Sequence, residues 1–186
     1  MERIDFMAQS CKGLSRLSLR SLSKTIRKQF GYNNSERLNP LRMLDRLPEH
    51  LRNFSYLVLD RQDPEYPSDN APARTEMWVE KGGTFAYRVV MQDKVYERAR
   101  NDSGGDRMTI CHEISHVYLL ALGIVPVSKR EFTIVRPYED PEWQAKALAG
   151  ELMIPYEASK GMPITEIMDI YGVSEEAAAY RYHHIK

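Results

Sequence analysis

Cysteine is scarce in this sequence: Cys11 and Cys111 are the only two in 186 residues. Two thiols cannot build the disulfide framework of a small secreted domain, so the expected compartment is a reducing, cytoplasmic one. Glycine and proline number 10 each, which excludes collagen-like and low-complexity chains. Long apolar runs are also lacking. The longest, residues 117–125, is interrupted at Gly123 and falls short of the ~20 residues of a membrane-spanning helix, so no membrane partner is expected. Residues 1–30 mix Ser, Leu and basic side chains without the apolar core of a secretory signal. Net charge is absent too, with 26 Lys and Arg against 26 Asp and Glu. The balance is uneven along the chain. Residues 1–52 carry 11 basic and 5 acidic side chains, and the rest carry 15 and 21. A basic leader precedes an acidic body, and a charge-driven partner would meet the leader.

What is present suits one globular unit with a small appendage. The periodicity divides the chain into a basic helical segment (1–55), a mixed body (56–160) and a terminal helix–turn–helix-like segment (161–186) packed on that body. Apolar spacing predicts a helix over 14–30, flanked by a basic stripe of Lys12, Arg16, Arg20, Lys24 and Lys28. A second helix is expected over 39–47, stopped by Pro48, and residues 61–74 read as a loop. Strands are expected at 56–60, 75–80 and 85–91, the last two as a hairpin around Gly82-Gly83. Helices follow over 93–101, about 106–122, from Asp140-Pro141 to just before Pro155, 165–171 and 175–182, with a strand or extended loop at 132–135. The fold class is therefore α+β, a small three-stranded sheet packed by helices. Direct nucleic-acid binding is not expected. The basic stripe lacks interleaved aromatics, and Glu175 and Glu176 would set carboxylates against phosphates.

His112-Glu113-Ile114-Ser115-His116 is an H-E-x-x-H sequence inside the most strongly helical window. Four residues advance a helix by ~400° and ~6 Å, which stacks both imidazoles on one face where they can share one metal ion. Glu113 points ~100° away, beside the metal rather than on it. There it can take a proton from the attacking water and later hand it to a leaving amine. Histidine nitrogens suit Zn²⁺, and a catalytic zinc takes three protein ligands. With 5 His and 16 Glu in the chain, chance supplies roughly 0.01 such matches.

A third ligand must come from downstream acids: Glu131, Glu139, Asp140, Glu142 or Glu151. Glu142 opens a helix whose Ala145, Ala149 and Leu152 fall on its own face, and small residues there allow close packing against the histidine helix. The competing reading is that Glu142 merely complements the helix dipole. Spacing alone leaves the choice open.

Residues 107–116 (RMTICHEISH) resemble the Arg-x-x-Thr-hydrophobic-Ala-His-Glu-hydrophobic-Gly-His pattern of the ImmA/IrrE family of zinc metallopeptidases. Residues 142–155 (EWQAKALAGELMIP) resemble that family's Glu-x-x-Ala-Asn-x-Phe-Ala-Ala-x-Leu-Leu-Met-Pro. The likeness extends to residues 95–99 and 171–177 and to Arg181, covering about 75–182, and no part of it falls in residues 1–55. It implies a minimal zincin-like core, with one catalytic zinc on His112, His116 and Glu142 and Glu113 as general base. It further implies a protein substrate, a helix–turn–helix transcriptional repressor of a phage or mobile element. Lys146, Leu148, Ser115 and Cys111 replace the family's Asn, Phe, Gly and Ala. None of these removes a ligand or the base, but Lys146 lies one turn from Glu142 and can alter the hydrogen bonding around it.

Cys111 points away from His112 and reads as a small buried thiol. His183 and His184 read as a loosely held tail. Tyr138 and Tyr156 flank the third-ligand helix, and either hydroxyl could donate to an oxyanion. The strand over 87–91 is expected to form an edge on which an extended substrate could pair. The rival class is a regulator that holds metal without catalysis and acts by binding a repressor or DNA.

Overall fold

The computed structural model describes residues 3, 4, 11–124 and 136–184. The element expected at 132–135 and the acid Glu131 lie outside these residues. Three strands form one sheet: β1 (Phe54–Leu59), β2 (Ala73–Val79) and β3 (Phe85–Gln92). The tight turn between β2 and β3 uses Gly82 and Gly83 at φ +111° and +82°, values that a side chain would resist. The order is β1-β3-β2, with β3 parallel to β1 and antiparallel to β2. Residues 87–91 therefore lie in the central strand and offer no edge, which corrects the expectation above. Alternation of side chains reports which face a residue takes, and it carries no information on strand order.

The register identifies the outward-facing groups of β2. Glu80 N–H donates to Thr84 O (2.9 Å) at one end of the ladder and Gln92 N–H to Pro72 O (3.0 Å) at the other. Antiparallel alternation then assigns Arg74, Glu76 and Trp78 to the bonded pairs and turns the N–H and C=O of Ala73, Thr75 and Met77 to the outer edge. Ile4 N–H donates to Met77 O there, at 2.9 Å.

Eight α-helices are described: α1 (Arg16–Gln29), α2 (Pro40–His50), α3 (Asp93–Arg100), α4 (Gly104–Ala121), α5 (Pro141–Met153), α6 (Tyr156–Ser159), α7 (Ile164–Tyr171) and α8 (Glu175–His183). A 3-10 turn, Pro137–Glu139, precedes α5. Pro48 lies inside α2 rather than stopping it. In the last turn it forfeits one backbone bond, which burial of Leu47 outweighs. Among the described residues no helix is long and apolar enough to cross a membrane.

α4 lies at the centre. It packs on α2, α3, α5 and the sheet, so it is apolar around most of its circumference rather than along one stripe. Ile110, Ile114, Val117 and Leu119 are fully buried. Its N-terminus meets the turn between α7 and α8, where a Cβ on Gly104 would lie 2.5 Å from Ser174 N; only glycine allows that approach. The buried Arg107 reinforces the contact by donating to Gly172 O (3.0 Å) and Leu38 O (2.6 Å). α1 packs against α5, burying Leu19 and Ile26. The basic stripe is thereby split. Arg16 donates to Tyr180 Oη (2.6 Å) and Arg20 to Glu151 Oε1 (3.2 Å), whereas Lys24 and Lys28 stay exposed.

Candidate metal centre

Two helices present the candidate ligands, and each begins with a cap. Ser103 caps α4, its hydroxyl accepting from Asp106 N–H, and the continuous helix carries His112 and His116 one turn apart. Asp140 caps α5, accepting from Glu142 N–H at 2.9 Å, with Pro141 in the first turn. That cap places Glu142 in the first turn, facing α4. Ala145, Ala149 and Leu152 are buried between the helices, and Cys111 Sγ approaches Ala149 O at 3.9 Å. The small size of the two alanines sets the helix separation and hence the reach of Glu142. Ala149→Leu should overpack the seam, costing about 2 kcal/mol and roughly 4–8 °C in Tm, with weaker metal binding. Thermal melting and metal titration of the same sample check both effects.

The candidate ligand atoms converge. His112 Nε2 and His116 Nε2 are 3.1 Å apart. Glu142 Oε1 lies 3.1 Å from His116 Nε2, and Glu142 Oε2 lies 3.4 Å from His112 Nε2. These donors form the three-residue group that could hold a metal ion among the described residues. Four tetrahedral ligands at ~2.05 Å from zinc lie ~3.3 Å from one another, so the observed separations match three corners of such a shell. One shared proton could serve a single edge of this triangle, whereas a divalent cation serves all three corners. His116 is 1% exposed at its side chain, His112 18% and Glu142 36%. The open side of the site is thus the side of Glu142 and His112, as access for a substrate requires. The imidazole of His112 foremost, then that of His116, holds the Glu142 carboxyl well below the usual carboxylate range. Lys146, where the family pattern has Asn, holds its ammonium 3.9 Å from Glu142 Oε2.

Glu113 is buried at 6% exposure and turned toward the sheet, where its Oε2 accepts from Thr75 Oγ1 at 2.8 Å. The other acids have different employment. Glu151 is buried between Arg181 (2.8 Å) and Arg20 (3.2 Å), Asp140 is the cap of α5, and Glu139 accepts from the backbone N–H of Arg136. Cys111 is fully buried, and burial pushes its thiol up to about 12, so it is inert at neutral pH. His184 stacks on Tyr180 and His183 meets Tyr182 edge-on. The Tyr138 hydroxyl accepts from Arg136, and the ring of Tyr156 lies 3.5 Å beneath Arg20. Thr75 has no counterpart in the sequence reading. A lone threonine in a strand carries no motif, and only the packing of β2 on α4 reveals it.

The chain matches the Peptidase_M78 family, IrrE N-terminal-like domain, over residues 79–183. It belongs to that family. The matched span contains both histidines, Glu113 and Glu142, and it begins in β2 and ends in α8. Comparison with curated proteins returns no match. Family membership and the three-residue cluster agree on a peptidase with a metal site.

Proposed function

We propose that this protein is a zinc-dependent endopeptidase, with His112, His116 and Glu142 as the metal ligands and Glu113 as the general base. The observation that carries the reading is the 3.1–3.4 Å triangle of two imidazole nitrogens and a carboxylate, with the separate, buried carboxylate of Glu113 on the residue that follows His112. Zinc, when bound, supplies a Lewis acid that polarises the scissile carbonyl and acidifies water. Glu113 accepts the proton of the attacking water and returns it to the leaving nitrogen. Burial of Glu113 keeps bulk water from competing for that proton. The outer edge of β2 is the strand edge that reaches this carboxylate, through Thr75; Ile4 takes up its Met77 end, and an extended substrate would pair along the Ala73–Thr75 end. A substrate held in that way must be locally unfolded around the cleaved bond. The proposed target, a helix–turn–helix repressor of a mobile element, rests on the family resemblance alone.

Purified protein should bind about one zinc ion and cut peptides from a denatured bacterial proteome, with new N-termini read by mass spectrometry. Chelation should abolish cutting and added zinc should restore it. Cleavage indifferent to chelation would defeat the proposal. Full zinc occupancy without any new N-terminus would favour the non-catalytic regulator.

A further inference from the structure

We infer that Thr75 is a positioning residue for this reaction: its hydroxyl holds one carboxylate oxygen of Glu113 so that the other is presented to the water and the leaving nitrogen. The inference rests on the reading of Glu113 as general base and adds to it a residue of the sheet.

Thr75 faces α4 from β2, opposite Val89 of β3. Its Oγ1 lies 2.8 Å from Glu113 Oε2 and 3.0 Å from the Glu113 carbonyl oxygen. A hydroxyl has one proton and serves one acceptor at a time. The carboxylate is both the nearer and the charged acceptor, so it takes the proton in the resting state. Burial by itself restricts the glutamate but does not choose a rotation about its last bond, which is broad and nearly two-fold. The hydroxyl makes the choice. Its own χ1 is restricted, because threonine is β-branched, and its place in the strand is fixed by the ladder bonds of Arg74 and Glu76 on either side. Oε2 is committed to Thr75, and Oε1 is left for chemistry.

The proton balance follows. An O–H bond of water breaks as a new one forms at Oε1, and the freed electron pair of the water oxygen attacks the carbonyl carbon. Later the Oε1–H bond breaks as the nitrogen gains that proton and the C–N bond opens, which restores the carboxylate. Thr75 donates to Oε2 throughout and undergoes no covalent change. The register adds a second consequence. The backbone N–H and C=O of Thr75 point to the outer edge of β2, two residues from the Met77 carbonyl that Ile4 N–H occupies, and an extended peptide paired along the Ala73–Thr75 end would meet them. One residue then references both the substrate and the base to the same strand, so the two keep their relative placement.

A merely structural role would have the hydroxyl pack the α4–β2 seam and nothing more. Thr75→Val keeps shape and strand preference while removing the donor, and Thr75→Ser keeps the donor. With the zinc-loaded protein and one peptide substrate, Thr75→Val should lower kcat roughly 10- to 100-fold, the effect of one charge-assisted hydrogen bond, and leave KM within about twofold. Its zinc content and Tm should match the parent. Thr75→Ser should hold kcat within about threefold. The inference is overturned if the valine variant matches the parent, if serine and valine fall alike, or if the fall in kcat tracks a loss of zinc. Should the valine variant fail to fold, Thr75→Ala against Thr75→Ser makes the same comparison. A zinc-loaded parent that cleaves nothing overturns the peptidase reading itself, and the role of Thr75 with it.

Discussion

Glu113→Gln is expected to lower kcat by roughly 10²–10⁴-fold while the protein keeps its full complement of metal. The amide has the shape of the carboxylate, and its oxygen can still accept from Thr75, so the buried packing around residue 113 survives. What it loses is the ability to carry a proton. The metal should be unaffected, because the converging atoms belong to His112, His116 and Glu142 and none to Glu113. Initial rates on a peptide substrate, paired with metal analysis of the same preparation, separate the two effects. A variant that retains both metal and activity shows that some other group moves the proton. A variant that loses metal shows that Glu113 lies in the ligand set, contrary to the geometry.

Glu142→Ala should act on the other quantity. It removes the carboxylate corner of the triangle and leaves the two imidazoles. Losing one of three ligands from a site worth on the order of 10 kcal/mol corresponds to a fall in zinc affinity of about 10²-fold or more, and activity should vanish at zinc concentrations that saturate the parent. Competition with a chromophoric chelator measures it. Glu139→Gln is the matching control. Glu139 lies three residues away and is also acidic, but its carboxylate accepts from the Arg136 backbone rather than from the histidines. Affinity in that variant should stay within about twofold of the parent. If the two substitutions behave alike, charge near the site matters and coordination by Glu142 does not.

The histidine pair and Glu113 were legible because a helix imposes its own geometry: at a four-residue interval, two imidazoles share a face whatever else the chain does. The start of α5 was equally local, since an aspartate followed by proline announces a helix N-terminus. The third candidate ligand was not local. Glu142 and Glu151 lie on the same helix with the same chemistry, and one faces a pair of imidazoles while the other is neutralised by Arg181 and Arg20. Spacing could nominate Glu142 through the small residues on its face, and the family likeness could single it out. Only the packing of α5 on α4 brings its oxygens to the nitrogens. The basic stripe of α1 shows the same limit, because its regular repeat gives no sign that Arg16 and Arg20 are engaged while Lys24 and Lys28 remain in solvent.

Strand order had no local signal at all. The alternation over residues 85–91 correctly marked a strand, yet its central position depends on β1 arriving parallel on one side while β2 occupies the other. Thr75 belongs to the same class, an ordinary strand residue until the sheet is laid against α4. By itself, then, the sequence determined most of the elements, though not α6 or the length of α2, and the placing of two imidazoles on one face beside Glu113, because each follows from contacts within a turn or two of chain. The tertiary structure decided that the acid nominated by spacing and family likeness reaches the imidazoles, which strand lies against Glu113 and which hydroxyl meets its carboxylate. Those contacts join residues far apart in the chain, and their geometry exists only once the helices and sheet have packed.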